Sequence, residues 1–100
     1  MSLDALDEKI LEWGVQKGIL PHAEPFAQLE KTEEEVAELR QAIYEHDVDE
    51  VKDAIGDIYV TIAMQAEAWG FTMEECVQAA YDVIKRRTGK MVDGKFVKDN

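Results

Sequence analysis

The chain has 100 residues, a length typical of one small domain. Hydrophobic residues make up 46% of it and charged residues 33%, which is too apolar for a disordered protein. The 22 acidic and 11 basic side chains give a net charge of −11, which argues against a nucleic acid polymer as partner. An acidic protein can still bind a phosphorylated small molecule when a divalent cation lies between them.

Other broad classes are excluded by what the sequence lacks. The longest apolar stretch, residues 58–64, is far shorter than the ~20 residues of a membrane span, so we expect no membrane partner. The first residues lack the basic start and apolar run of a secretory signal. Cys76 is the only cysteine and cannot form an internal disulfide, which fits a reducing compartment. We therefore expect a cytoplasmic protein.

The spacing of apolar residues and of helix-breaking residues predicts four helices in a single domain of residues 1–100. In chain order they cover about residues 4–17, 25–45, 49–69 and 72–88. Pro25 suits a first helical turn, and Asp49 is the expected N-cap of the third helix. Residues 72–75 have the form of a capping box, while Gly18 and Gly70 suit helix ends.

The tail of residues 89–100 begins with Gly89, the expected C′ residue of the fourth helix. It contains Asp93-Gly94, a signal for a tight hairpin, although a tail this short could also be extended. The predicted fold class is all-α: an antiparallel four-helix bundle with a short C-terminal tail.

A chain of this size leaves a thin hydrophobic core. Four short helices bury only about two-thirds of the potential surface. Trp13, Trp69 and Phe71 carry more apolar surface than such a bundle hides. We therefore expect oligomerisation to complete the fold, as a homodimer or a homotetramer.

The second helix carries an acidic face. Glu34, Glu35 and Glu38 fall within an arc of about 100°, and like charges at this spacing repel one another. Lys31 projects from the same arc and offsets part of the repulsion. Taken alone, this pattern is typical of a solvated helix face.

The third helix carries a second acidic face. Glu50, Asp53 and Asp57 lie within about 60° of one another. Asp57 falls in the most apolar part of the chain, beside Gly56, where an unpaired carboxylate is unfavourable. Two neighbouring antiparallel helices with such faces would form an oxygen-lined cleft. That composition favours Mg²⁺, with Mn²⁺ as a substitute, over Zn²⁺, because the two histidines and Cys76 are not spaced as a site.

Two segments, residues 28–39 and 53–58, resemble the MazG-like all-α nucleoside triphosphate pyrophosphohydrolases. That family carries Glu-Glu-x-x-Glu on one helix and Glu-x-x-Asp on the next. The first motif is matched by Glu34, Glu35 and Glu38, and the close of the second by Asp57. Residues 12–18 and the ending, residues 84–98, resemble small phage-type and bacterial MazG-like proteins, so the resemblance spans nearly the whole chain.

The sequence departs from the second motif at one position. Ala54 stands where the family has its first Glu, three residues before Asp57. Asp53 is the nearest carboxylate, at i, i+4 from Asp57, and we expect it to take over the ligand role, with Glu50 one turn further back. The alternative is a site that holds its metal weakly or not at all.

The resemblance implies Mg²⁺-dependent hydrolysis of a nucleoside triphosphate to the monophosphate and pyrophosphate. Carried over residue by residue, it gives these metal ligands: Glu35, Glu38, Asp53 and Asp57. Glu34 becomes a shared ligand or the general base, which is the catalytic role. Lys31 matches the lysine that usually precedes the glutamate pair in this family, and we expect it either to contact a phosphate or to pair with Glu35.

The end of the chain is basic. Residues 85–98 hold six of the eleven basic side chains against Asp93 alone. The candidates to contact the triphosphate, from this subunit or a partner, are Lys85, Arg86, Arg87 and Lys90. The alternative is that these basic side chains only interact with the negative, C-terminal end of the dipole of the fourth helix. Trp13 is a candidate to stack on the base, although a tryptophan at this spacing is also typical of a core.

Two further functions remain open from the sequence. One is a catalytically weak or inactive MazG-like interaction module, which Ala54 favours. The other is a sister enzyme on the same fold, such as a phosphoribosyl-ATP pyrophosphohydrolase or a dimeric dUTPase, which would differ in its base pocket.

Overall fold

Four α-helices and a C-terminal β-hairpin make up the structure, a computed structural model that describes residues 1–99. The helices are α1 (Leu3–Gln16), α2 (Pro25–Glu45), α3 (Val48–Ala68) and α4 (Met73–Ile84). The strands are β1 (Gly89–Val92) and β2 (Lys95–Lys98), which pair antiparallel. The predicted all-α class with four helices is confirmed.

Each helix is preceded by an N-cap residue, whose side chain accepts a hydrogen bond from a backbone N–H of the first turn. These N-caps are Ser2, Glu24, Asp47 and Thr72. The Thr72 cap forms the predicted capping box with Glu75. The prediction for α3 was wrong by two residues: Asp47, not Asp49, accepts from the backbone N–H of Glu50 at 3.1 Å. Asp49 instead lies in the first turn of α3, where its negative charge interacts favourably with the positive end of the helix dipole.

The fourth helix is shorter than predicted, because the tail forms a hairpin. Helix α4 ends at Ile84, and Gly89 is the first residue of β1 rather than a helix C′ residue. A Cβ at Gly89 would collide with the backbone oxygen of Val97, so the strand pairing requires glycine there. Asp93 and Gly94 have φ angles of 50° and 82° and form the tight turn that their sequence suggests.

Helices α2 and α3 form the antiparallel pair on which the rest of the molecule is built. Polar side chains fix their register. The Thr32 hydroxyl donates to the Thr61 hydroxyl at 2.9 Å, and Gln28 Nε2 donates to the Thr61 carbonyl at 3.1 Å. One turn further toward the start of α2, Gln65 Nε2 donates to the Pro25 carbonyl at 2.9 Å.

Helix α3 is the central element, since α1, α2 and α4 all pack against it. The Tyr59 hydroxyl donates to Asp7 Oδ1 at 2.9 Å and ties α1 to α3. Burial, together with this hydrogen bond, raises the pKa of Tyr59 to about 12. The buried hydrophobic residues are Ala42, Ala54, Ala63, Met64 and Ala66, so the core is built mainly from small side chains.

The chain is more extended than a globular monomer of its size. Its radius of gyration is 15.6 Å, against about 13 Å expected for 100 residues. Its accessible surface is 7868 Å², against about 5,800 Å² for a monomer of this mass. Helix α4 buries none of its residues, and within residues 1–99 the hairpin packs on none of the helices.

One side of the α2–α3 pair is an exposed apolar face, made of two rows of residues at seven-residue spacing. The rows are Leu29, Val36 and Ile43 on α2, and Val48, Ile55 and Ile62 on α3 with Trp69 at its C-cap. Val36 follows the buried Glu35, and Ile62 follows the buried Thr61. Each of these apolar residues is therefore rotated by about 100° around its helix axis from a buried neighbour. Because the two helices are antiparallel, the same rotation turns both rows to the same side of the pair.

Among the helices of residues 1–99, we find none that is both long and apolar enough to cross a membrane.

Candidate functional site: an acidic cluster beside an apolar cleft

Three carboxylates from two helices converge at the α2–α3 pair. Glu35 and Glu38 come from α2 and Asp57 from α3, and one oxygen of each lies within 4.8 Å of the others. The spacing of three along α2 turns both glutamates toward α3. The hydrogen bonds at Thr61 hold Asp57, one helical turn away, at the height of Glu35.

Glu35 is the buried member of the cluster. It is only 8% exposed, and its Oε2 atom has no hydrogen-bond partner among the described residues. Its other oxygen lies 3.8 Å from Lys31 Nζ, a weak ion pair. Burial raises the pKa of Glu35, and the proximity of Glu38 and Asp57 raises it further. A buried carboxylate oxygen without a partner is unfavourable, and a bound cation would satisfy it.

Asp57 and Asp53 lie next to each other on α3. Burial raises the pKa of Asp57, and the nearby carboxylate of Asp53 raises it further. Asp53 lines a different cavity, which it shares with Asp57 and with residues of α1. It does not join the three oxygen atoms that lie within 4.8 Å of one another.

Ala54 is completely buried, with 0% of its surface exposed. The position where the family resemblance leads one to expect a glutamate thus holds a core methyl group. The carboxylate on this turn of α3 belongs to Asp53, one residue earlier, beside Asp57.

Glu34 and Lys31 form an exposed ion pair at the edge of the cluster. Lys31 Nζ lies 3.1 Å from Glu34 Oε2, and the two side chains are 57% and 64% exposed. The hydrogen bond to Glu34 and the charge of that carboxylate raise the pKa of Lys31. Lys31 therefore sits between one exposed carboxylate and one buried one, Glu35.

A cleft of about 540 Å³ adjoins the cluster. Glu35 and Asp57 form part of its wall, and Lys31 lies at the same side. The remaining lining is mostly apolar and includes Trp13 and Met64. Glu24, the N-cap of α2, also contributes to the wall. A mostly apolar cleft with a few charged groups is the usual form of a small-molecule site.

The basic residues of the tail lie elsewhere on the molecule. Within residues 1–99 of one chain, none of the four candidates from Lys85 to Lys90 lines the cleft. Lys85 pairs with Asp82 at 3.3 Å, and the Arg86 side chain donates to the Asp82 carbonyl at 3.1 Å. Lys85 is the C-cap of α4 and Arg86 follows it, so both lie at the negative end of the helix dipole.

The sequence did not identify several residues that line the cleft. His22, Gln28, Thr61 and Met64 all contribute to its wall. Their side chains carry no motif, and only the packing of three segments brings them together. A glycine inside α1, Gly14, was the one visible signal of a close approach in this region.

A comparison with known protein families shows the family to which the chain belongs. The family description of the MazG nucleotide pyrophosphohydrolase domain matches residues 24–92. The chain belongs to this family. The match covers α2, α3, α4 and β1, and it includes the three carboxylates of the cluster but not α1. A search of curated proteins and a search of solved structures gave no match.

Divalent metal is expected to stabilise this MazG domain through the cluster. A ligand present at about ten times its Kd stabilises the native state by about 1.4 kcal/mol, which is several degrees of Tm for a chain of this size. Millimolar Mg²⁺ or Mn²⁺ should therefore raise Tm in a thermal melt. Glu35→Gln should raise the Tm of the metal-free protein, since it removes a buried charge that Lys31 pairs only weakly, and should abolish the metal-dependent rise.

Glu33→Gln is the matched control, because Glu33 is an exposed glutamate on the same helix and outside the cluster. Its metal-dependent rise should equal that of the parent. If the cations only screen the net negative charge, the metal-dependent rise should persist equally in Glu35→Gln and Glu33→Gln, and that result would contradict a metal site.

Proposed function

We propose that the protein is a Mg²⁺-dependent nucleoside triphosphate pyrophosphohydrolase, which converts ribo- or deoxyribonucleoside triphosphates to the monophosphate and pyrophosphate. The observation that carries this proposal is the position of the acidic cluster at one end of the apolar cleft. A nucleotide has the matching form, with an apolar base at one end and a polyphosphate at the other. Membership of the MazG family supports the same reaction class.

The donor set fits a hard cation. All the candidate ligand atoms are carboxylate oxygens, from Glu35, Glu38 and Asp57, with Asp53 beside them. The partnerless buried oxygen of Glu35 is the independent sign that a cation belongs there. When bound, Mg²⁺, or Mn²⁺ in its place, would neutralise phosphate oxygens and make phosphorus more electrophilic.

The remaining groups bind the polyphosphate and handle the proton. Lys31 is near enough to the buried carboxylate of Glu35 to bring a positive charge to the phosphates. Hydrolysis adds water across the α–β phosphoanhydride bond, and the proton of the attacking water needs an acceptor. Glu34 is the carboxylate that we propose for this role, since Lys31 holds it at the edge of the cluster.

The base and ribose would occupy the apolar part of the cleft. Trp13 lines it and is 42% exposed, which leaves a ring face free for stacking. The basic residues Lys85, Arg86, Arg87 and Lys90 do not reach the cleft of their own chain. We therefore assign them to phosphates bound by a second subunit.

The proposed assembly is a homodimer formed through the exposed apolar face of α2 and α3. The surface exceeds that of a typical monomer of this mass by roughly 2,000 Å², more than the ~800 Å² that each partner buries in a standard interface. Rows at seven-residue spacing are the pattern by which helix pairs associate into four-helix bundles. A homotetramer would require the exposed face of α4 as well. The cytoplasmic location stays a prediction.

Sedimentation velocity tests the assembly. The parent should sediment with at least twice the mass of one chain. Ile62→Glu and Val36→Glu should shift it to the monomer, since each introduces a charge into the apolar face. Val15→Glu, on the exposed surface of α1, should leave the oligomer intact. A monomeric parent, or dimers unaffected by either substitution in the face, would contradict this assembly.

Pyrophosphate release tests the activity. The purified protein should release pyrophosphate from at least one nucleoside triphosphate with Mg²⁺, and a screen of common and modified nucleotides would find it. Glu38→Gln should lower kcat by at least about a hundredfold, because it removes a metal ligand. Helicity in circular dichroism should not change. Glu30→Gln, an exposed change on the same helix, should retain full activity.

Three outcomes would contradict the proposal. An active Glu38→Gln protein would remove the role of the cluster. Absence of release from every nucleotide would favour the inactive MazG-like interaction module. Release only from phosphoribosyl-ATP or only from dUTP would favour one of the sister enzymes.

A further inference from the structure

A glycine in α1 lies against the floor of the cleft. Gly14 is the one buried residue of α1. Glycine inside a helix is less favourable than alanine by about 1 kcal/mol, so a close contact should explain its presence. A Cβ at this position would lie 2.7 Å from the Sδ atom and 2.8 Å from the Cε atom of Met64. Both distances are well below ordinary van der Waals contact.

The backbone around Gly14 is held in place. Its carbonyl accepts hydrogen bonds from the backbone N–H of Ile19 at 2.9 Å and of Leu20 at 3.2 Å. These bonds close the end of α1 and start the connection to α2. The Leu20 side chain also lies 3.3 Å from the position of the absent Cβ. Any side chain at position 14 must therefore be accommodated by movement of the Met64 tip.

The Met64 side chain borders the open space of the cleft. Met64 is 1% exposed and lies among core residues on α3, but it also forms part of the cleft wall, with Val60 and Thr61. Its thioether is flexible and adapts to the space available. A side chain at position 14 would push the end of Met64 into the cleft and make the cleft shallower.

We propose that Gly14 and Met64 together set the size of the base that the cleft admits, so that the cleft accepts a purine as well as a pyrimidine. The inference rests on the proposed function for the identity of the ligand as a nucleotide. It concerns α1, which lies outside the segment matched by the MazG family. Gly14 is a positioning residue here, since it acts through Met64 and touches no substrate.

Fluorescence of Trp13 provides a readout that needs no turnover. The chain has two tryptophans, so Trp69→Phe leaves Trp13, in the cleft wall, as the reporter. In this background the protein is titrated with AMP and with CMP, in the presence of Mg²⁺. Gly14→Ala should weaken AMP binding by about tenfold or more, while CMP binding should change by less than about threefold.

Gly14→Ala/Met64→Val is the matched control, since it keeps the alanine and removes the Sδ and Cε atoms that the alanine would displace. It should restore AMP binding. Equal effects on AMP and CMP, no effect on either, or a loss that persists in the double variant would overturn the proposal. If Gly14→Ala does not fold, Met64→Val alone should raise the AMP preference, and an unchanged ratio would overturn the proposal.

The experiment separates this inference from the proposed function. Size-dependent quenching of Trp13 without pyrophosphate release would support the cleft assignment and contradict the enzyme. Pyrophosphate release with a purine-to-pyrimidine ratio of kcat/KM that is unchanged by Gly14→Ala would contradict this inference alone. Absence of quenching by either nucleotide in the parent would overturn the assignment of the cleft to the base.

Discussion

Carboxylates repel one another, and burial makes each of them harder to ionise, yet two helices of this chain bring three together. Glu35 is the extreme case, because it is nearly buried and one of its oxygen atoms has no partner. Lys31 compensates only in part, at 3.8 Å and from an exposed position. We propose that a hard cation provides the remaining compensation. The proposed chemistry depends on this one electrostatic constraint.

The fold keeps the carboxylates together although their mutual repulsion destabilises this part of the helix pair. Hydrogen bonds through Gln28, Thr32 and Thr61 hold α2 and α3 in one register, so Glu35 and Asp57 cannot slide apart. The same pair of helices leaves its apolar face exposed on the side away from the cluster. A second copy on that face would stiffen the pair that holds the site. Assembly and metal binding would then support each other, because both act on the α2–α3 register.

Local chemistry explains which parts of the fold were predictable. The capping box at Thr72 and the glycine at position 70 depend on neighbouring residues alone, and both were predicted from the sequence. The end of α4 was not, because Gly89 is required by a strand pairing with residues near the end of the chain. The start of α3 was predicted with Asp49 as its N-cap, but the cap is Asp47, two residues earlier, and the two aspartates offer the same capping chemistry.

In the candidate site, too, some residues could be predicted from local spacing and others depend on tertiary packing. Helical spacing indicated the acidic residues of α2, but Glu34 and Glu35 are adjacent, and only the docking of α3 buries one and exposes the other. Gly14 and Met64 are fifty residues apart in the chain, and no spacing rule connects them. Crystals soaked in Mn²⁺ test the central claim most directly, through the anomalous scattering of the metal. The account requires a peak bounded by Glu35, Glu38 and Asp57; peaks only elsewhere, or none at this position, would contradict it.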